Sequence, residues 1–176
     1  MSFLPKNYTL PTSSSGGNYT KLLKGKTTIR IIGDAIIGWL GWTDENGKRS
    51  PHRSKEQPPV GKFEERAKHI WAFPVYNHDT NSVQILEIAQ RGIQDALKEL
   101  YEDKNWGCPK KYDVVIKRDG NGLETSYSVM PVMPTDLDDD AITMIKAKLP
   151  TINIDALYEG GDPFAESTDT TDEEPF

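Results

Sequence analysis

Aromatic and basic residues are interleaved along the parts of this sequence that have strand-forming patterns. Cations contact the phosphates of a single-stranded nucleic acid, and ring faces stack on its bases, which contributes roughly 1–3 kcal/mol per base. The mixture therefore favours a surface for unpaired polynucleotide. The rings are Trp39, Trp42, Trp71, Phe73, Tyr76, Tyr112 and Tyr127. The cations beside them are Arg30, Lys48, Arg49, Arg53, Lys55, Lys62, Lys68, Lys110, Lys111, Lys117 and Arg118.

Each ring and each cation also has a purely structural interpretation. A Trp or Phe on a strand is more often packed in a core than exposed, and a Lys or Arg is by default solvated. We expect Trp42 to be exposed because it opens a long charged loop, and Trp71 or Phe73 to be in the core. Either interpretation fits Tyr76 and Tyr127. The candidate nucleic-acid contacts are Arg30, Trp42, Lys48, Arg49, Arg53, Lys55, Lys62, Lys68, Tyr76, Lys110, Lys111, Lys117, Arg118 and Tyr127.

Catalytic and metal-binding patterns are not found in the sequence. The histidines are His52, His69 and His78. They have no metal-ligand spacing with the single cysteine, Cys108, and no glycine-rich phosphate loop is present. We expect no metal, no cofactor and no enzymatic activity. The alternative of a Mg²⁺-dependent nucleic-acid enzyme would need converging carboxylates, for which Asp113, Asp119 and Glu124 are the nearest set.

The hydrophobic pattern predicts the elements that would position these residues. Strands are predicted at residues 27–32, 35–42, 69–77, 82–89, 112–117 and 125–132, and helices at 90–102 and 141–149. Residues 43–68 carry several prolines and many charges, which is typical of a long loop. One helix between pairs of strands favours a mainly β fold with one or two helices, arranged as an OB-like five-stranded antiparallel barrel.

Charge divides the chain into a body and a tail. Residues 1–134 hold 19 Lys/Arg against 15 Asp/Glu, whereas residues 135–176 hold 2 against 12. We expect a flexible segment at 1–20, the barrel domain at 21–158 and a disordered acidic tail at 159–176. No run of 18 apolar residues is present, and a single cysteine excludes an internal disulfide. These features predict a cytoplasmic protein that does not enter a membrane.

The chain ends in an acidic run followed by proline and phenylalanine. The tip is Asp172, Glu173, Glu174, Pro175 and Phe176. The last ring can fill an apolar pocket of another protein, while the terminal carboxylate and the acids contact Lys or Arg at its rim. The tip is therefore a candidate partner-binding site, and a random acidic terminus is the alternative.

This tip resembles that of bacterial single-stranded DNA-binding proteins, which end in acids followed by Ile-Pro-Phe. Glu174 departs from that pattern because it stands where the aliphatic residue would be. The body, over roughly residues 20–135, resembles phage-encoded single-stranded DNA-binding proteins of the OB-fold class. The resemblance rests on LLKGKTTIRII, AIIGWLGW, HIWAFPVYN, ILEIAQRGIQDALKEL, WGCPKKYDVVIKRDGNGLETSYSV and MPTDL. Some phage members carry a zinc ribbon, which one cysteine does not allow.

The resemblance implies sequence-independent binding and protection of single-stranded DNA in replication, recombination or repair, in a bacterial or phage-infected cell. It also implies that Phe176 and the acids before it recruit replication proteins, and that the acidic tail competes with DNA for the basic groove. An adaptor whose barrel is only a scaffold is the main alternative. The oligomeric state stays open, and a homodimer is among the alternatives.

Overall fold

The computed structural model describes residues 17–164, and these form a mainly β protein, as the sequence predicts. The strands are β1 (Gly25–Ile31), β2 (Ile36–Glu45), β3 (Lys48–Ser54), β4 (Lys68–Asn77), β5 (Ser82–Ile88), β6 (Asp113–Asp119) and β7 (Ser126–Pro131). The α-helices are α1 (Arg91–Glu102) and α2 (Asp139–Lys148). Short 3-10 helices cover Pro109–Lys111, Gly122–Glu124, Leu149–Thr151 and Ile154–Glu159.

All strand pairs are antiparallel, in the order β3-β2-β4-β1-β6-β7, and β5 pairs with β4. The predicted five-stranded barrel is therefore wrong in strand number, and within residues 17–164 the sheet is open rather than closed. The one strand that the sequence does not predict is β3, which comes from the predicted loop at 43–68 and returns along β2. Asn46 and Gly47 join them with φ angles of 55° and 78°, as a two-residue type I′ turn requires.

Strand β4 is the centre of the sheet because two strands share one of its edges. The first half of β4 pairs with β2, its last three residues pair with β1, and β5 occupies the opposite edge. Pro74 lies between the two paired stretches, where the chain bends from β1 to β2. Gly33 in that bend packs on the proline ring, since a Cβ at this position would lie 2.4 Å from Cγ of Pro74.

The two faces of β4 are buried by different parts of the chain. Phe73 and Val75 point into the main core, which the apolar face of α1 covers with Ile93 and Leu97. The opposite face is covered by the segment after β7. Ala141 of α2 packs there against Tyr76 and Val83, and Leu157 packs against Ala72 and Ile85. Because both faces are buried, the sequence of β4 is an almost continuous run of apolar residues.

Both ends of the described chain contact the body of the protein. The amide of Thr20 donates to the carbonyl of Ile85, and the amide of Ile85 donates to Asn18, each over 2.9 Å. Pro163 is buried, and the ring of Phe164 lies 6.0 Å from that of Tyr19. Residues 17–20 and 159–164 therefore pack on the body, while the rest of the predicted tail and its Pro-Phe tip lie outside the described residues.

Over residues 17–164, none of the helices has the length and apolar character needed to cross a membrane.

Candidate nucleic-acid interface

A row of rings lies on the core-facing side of β2 and β4, beyond the point where the core ends. The register places Ile37 opposite Trp71 and Trp39 opposite His69, and side chains two apart on a strand share a face. The rings of Trp39 and His69 are 4.9 Å apart between centroids, tilted by 52°. All three rings, those of Trp39, His69 and Trp71, are half-buried, so each keeps an accessible part.

Helix α1 forms the wall opposite this row. Between them lies an apolar cavity of about 490 Å³ that Ile37, Trp71, Leu97 and Tyr101 line. A second depression of about 420 Å³ follows beside His69, and Gln94 of α1 lines it. We call the two depressions together the groove: its floor is Ile37, His69 and Trp71, with Trp39 packed against His69 at its edge, and its wall is the side of α1 from Arg91 to Tyr101.

Cations stand at both ends of the groove. Lys98 and Lys110 line the first depression, and Lys68 and Arg91 line the second. Their ion pairs are at the surface: Arg91 lies 3.0 Å from Asp95 and Lys98 lies 3.6 Å from Glu102. Such pairs contribute little to stability, so a phosphate can replace the carboxylate at small cost.

Lys110 is bonded to the carboxylate of Asp34 at the mouth of the groove. The hydrogen bond from Lys110 holds the pKa of Asp34 below its usual value, and the same bond raises the pKa of Lys110. Both groups are therefore charged at neutral pH. A nucleic-acid phosphate that contacts Lys110 has to compete with Asp34.

The aromatic row continues on the same face of the β2–β3 hairpin. The ring of Phe63 covers Gly41, where a Cβ would lie 2.3 Å from the ring, and it stacks on His52 with centroids 5.9 Å apart. The ammonium of Lys62 lies 5.7 Å from the centroid of Phe63. Residues 55–67 are thus a loop, as predicted, but Phe63 fastens it to the hairpin.

Several predicted contacts lie on the opposite face of the hairpin. The guanidinium of Arg49 stacks on Trp42 at 4.6 Å, and the ammonium of Lys55 lies 5.2 Å from the ring of Tyr158. Arg53 donates two hydrogen bonds to Glu87, at 2.7 and 3.2 Å. The guanidinium of Arg53 is therefore engaged in a structural ion pair. Lys48 is exposed beside the hairpin turn.

Arg30 and Tyr76 are inside the protein. Arg30 is 7 % exposed, donates to Asp113 over 2.8 Å and to the carbonyl of Thr135 over 2.8 Å. Tyr76 is 4 % exposed under α2, and burial raises the pKa of its hydroxyl. Neither side chain can contact a nucleic-acid strand that approaches from solvent. We therefore leave both residues out of the proposed interface.

The remaining predicted residues lie elsewhere. Lys111 is exposed beside Lys110, in the 3-10 helix before β6. Lys117, Arg118 and Tyr127 are at the far end of β6 and β7. Lys117 is opposite Lys26, Arg118 donates to the carbonyl of Leu22 over 3.1 Å, and Tyr127 packs against the core.

The carboxylates considered for a Mg²⁺ site do not converge. Asp113 and Asp119 lie at the two ends of β6, about 20 Å apart at 3.3–3.4 Å per residue. Asp113 accepts from Arg30 and contacts His78 at 3.0 Å, whereas Asp119 lies 3.5 Å from Lys117. In the described part of the chain, no three or more His, Cys, Asp or Glu residues form a group that could hold a metal ion.

Sequence reasoning missed most of the groove wall. Arg91, Lys98 and Tyr101 lie on α1, which the sequence predicts from the spacing of its apolar residues alone. Strand alternation correctly predicts that Trp39 and His69 each share a face with the residues two positions away. It does not predict which of the two faces points inward.

Neither a scan against protein-family models nor a search of the curated proteins finds a match to this chain.

Proposed function

We propose that this protein binds single-stranded DNA without sequence preference and that the strand lies in the groove. The observation that carries the proposal is the combination of accessible His69, Trp71 and Tyr101 rings in one groove, with Trp39 packed against His69 at its edge and cations at both ends. Stacking on rings tolerates any base, because every base has a π face, and cations at the ends contact phosphates.

The strand order supports the same proposal. Without the β2–β3 hairpin, the order is β5-β4-β1-β6-β7, and α1 lies between β5 and β6 in sequence. Five antiparallel strands in this order resemble the strand arrangement of an OB fold, which is a five-stranded, partly open Greek-key barrel. OB folds bind oligonucleotides through their second and third strands and the loop between the first two. Here those parts are β4, β5 and the segment that contains the hairpin.

The biological part of the proposal rests on the resemblance described above. Bound strands would be protected during replication, recombination or repair, and the tip at Asp172, Glu173, Glu174, Pro175 and Phe176 would recruit other replication proteins. The tip lies outside the described residues, so its role is proposed from its sequence alone. Its acids and terminal ring suit a basic-rimmed apolar pocket on a partner.

A titration with oligothymidylate tests the proposal. Stacking on Trp39 and Trp71 is expected to quench tryptophan fluorescence, and binding should weaken as salt rises, by about 0.7 in the log–log slope per phosphate contact. Tyr101→Ala should weaken binding, because this exposed ring lines the groove. Trp42→Ala, on the opposite face of the hairpin, is the matched aromatic control and should bind as wild type.

A protein that shows neither quenching nor binding at low salt would overturn this function and favour the adaptor alternative. Weakening by Trp42→Ala with no effect of Tyr101→Ala would move the binding surface to the other face of the hairpin.

A further inference from the structure

A second concentration of positive charge lies at the end of β1 that is farther from the groove. Lys26 of β1 is directly opposite Lys117 of β6 in the antiparallel register. Both alternate with core-facing residues, Thr27 and Ile116, so the two ammonium groups are on the outer face of the sheet. Like charges directly opposite each other destabilise a strand pair, and an anion bound between them removes that repulsion.

Two more lysines come from the segment before β1. Lys21 and Lys24 are exposed and, with Lys26, line a depression of about 400 Å³. Within residues 17–164, none of these three lysines is in an ion pair. We call Lys21, Lys24, Lys26 and Lys117 the lysine cluster.

The acids near the lysine cluster are already engaged. Asp79 lines the same depression, and its carboxylate accepts from the amide of Thr28 over 3.2 Å. Asp119 lies 3.5 Å from Lys117, an exposed pair that contributes little. Arg118 donates to the carbonyl of Leu22 and so fixes the segment that carries Lys21 and Lys24. The lysine cluster is therefore held in place and keeps an excess of positive charge.

Strand β6 extends from beside the groove mouth toward the lysine cluster. Lys111 ends the 3-10 helix beside the groove mouth, and β6 begins two residues later at Asp113, about 13 Å from Lys117 at 3.3 Å per residue. Alternation places Asp113 and Val115 on the same face of β6 as Lys117. The charge of Asp113 is balanced by the buried guanidinium of Arg30. Because the segment around Thr135 covers Arg30 and Asp113, the accessible part of this face is the stretch at Val115 and Lys117.

We propose that the lysine cluster is a second phosphate-binding site for the same DNA strand that the groove binds. The inference rests on the proposed function and extends it, because it predicts two stages in the dependence of affinity on oligonucleotide length. Short DNA strands bind in the groove and do not reach the lysine cluster. DNA strands long enough to extend beyond the groove by the length of β6, about 20 Å, also contact the lysine cluster.

Oligothymidylates from about 4 to about 16 nucleotides, the range of OB-fold site sizes, test this with the full chain. The affinity of wild type should rise once for oligonucleotides that fill the groove, and a second time for oligonucleotides long enough to reach the lysine cluster as well. Lys26→Ala/Lys117→Ala should abolish that rise and reduce the salt slope for long strands by about 1.4, that is about 0.7 per contact, with short strands bound as in wild type. The free energy of unfolding of this variant should be unchanged or higher, because cross-strand repulsion is removed.

Lys104→Ala/Lys146→Ala, which removes two exposed lysines elsewhere, is the matched control and should retain the second rise. Equal losses in the two double variants would overturn the inference, since a general charge effect would explain both. A second rise that persists in Lys26→Ala/Lys117→Ala would overturn it as well, with the proposed function intact. Absence of binding at every length would overturn the proposed function and this inference together.

Discussion

Trp39 and His69 face each other across β2 and β4, with their rings 4.9 Å apart and tilted by 52°. Both are half-buried, His69 on the floor of the groove and Trp39 at its edge, and within residues 17–164 Nδ1 of His69 is buried without a hydrogen-bond partner. The imidazole therefore depends on packing against the indole for its position. Loss of the Trp39 ring should therefore weaken base stacking while the protein stays folded.

Replacement of Trp39 by leucine should weaken binding of single-stranded DNA by about 1–3 kcal/mol, the range for one base–aromatic stack. Leucine keeps an apolar side chain on the strand and removes the π face. Fluorescence anisotropy of a labelled oligothymidylate measures the affinity, and urea unfolding of the same variant measures its stability. Wild-type affinity in a folded Trp39→Leu variant would contradict a stacking role for this ring.

Removal of the carboxylate at the groove mouth should tighten binding. Asp34→Asn releases the ammonium of Lys110 and removes a negative charge that repels the phosphates. We expect a higher affinity at low salt, with the gain fading as salt rises, because exposed charges are screened. Asp155→Asn, an exposed acid in the segment after β7, is the control and should leave the affinity unchanged. Weaker binding by Asp34→Asn would show that Lys110 does not contact the strand.

The sequence predicted the element types well because their patterns are local. The six predicted strands and both helices are present, with small shifts of boundary, since alternation and helical spacing depend on neighbouring residues. The β3 strand was missed although Asn46-Gly47 is a turn signal, because charges and prolines at 48–58 outweighed it. Packing of 17–20 on β5 and of Phe164 on Tyr19 depends on contacts distant in sequence, which no local pattern reports.

The interface was harder to predict than the fold. Arg30 and Tyr76 carry the residue types that the interface needs, yet α2 and the segment around Thr135 bury them. Lys98 and Tyr101 lie in the groove because of how α1 packs on the core. Tertiary packing thus decides which cations share a surface. Composition indicates only that the body carries enough cations for such an interface.

Disruption of the buried ion pair between Arg30 and Asp113 should destabilise the protein strongly. Arg30→Ala leaves the carboxylate of Asp113, whose side chain is 14 % exposed, with His78 as its remaining close partner. Removal of one partner of a buried pair typically costs about 3–5 kcal/mol. Urea unfolding measures the change, with Arg91→Ala as the control because Arg91 forms an exposed pair. Equal stabilities of the two variants would show that the Arg30–Asp113 pair is not structural.

Alkaline pH should destabilise the fold through its buried tyrosines. Burial raises the pKa of Tyr112, whose side chain is 1 % exposed and whose hydroxyl donates to the carbonyl of Gly107 over 3.1 Å. A pKa that is higher in the folded than in the unfolded chain means that the unfolded chain loses its proton first as the pH rises. The stabilisation is therefore complete below the unfolded value of about 10 and is lost above it.

Urea unfolding between about pH 8 and about pH 11, a range that brackets the unfolded tyrosine pKa, checks this dependence. Tyr112→Phe should be less stable than wild type at the lower end, because the hydrogen bond to Gly107 is lost, and its stability should fall less steeply as the pH rises. Tyr101→Phe, at a ring that is 63 % exposed, should follow the wild-type curve. A Tyr112→Phe curve parallel to wild type throughout would mean that this hydroxyl titrates in the folded protein as it does in the unfolded chain.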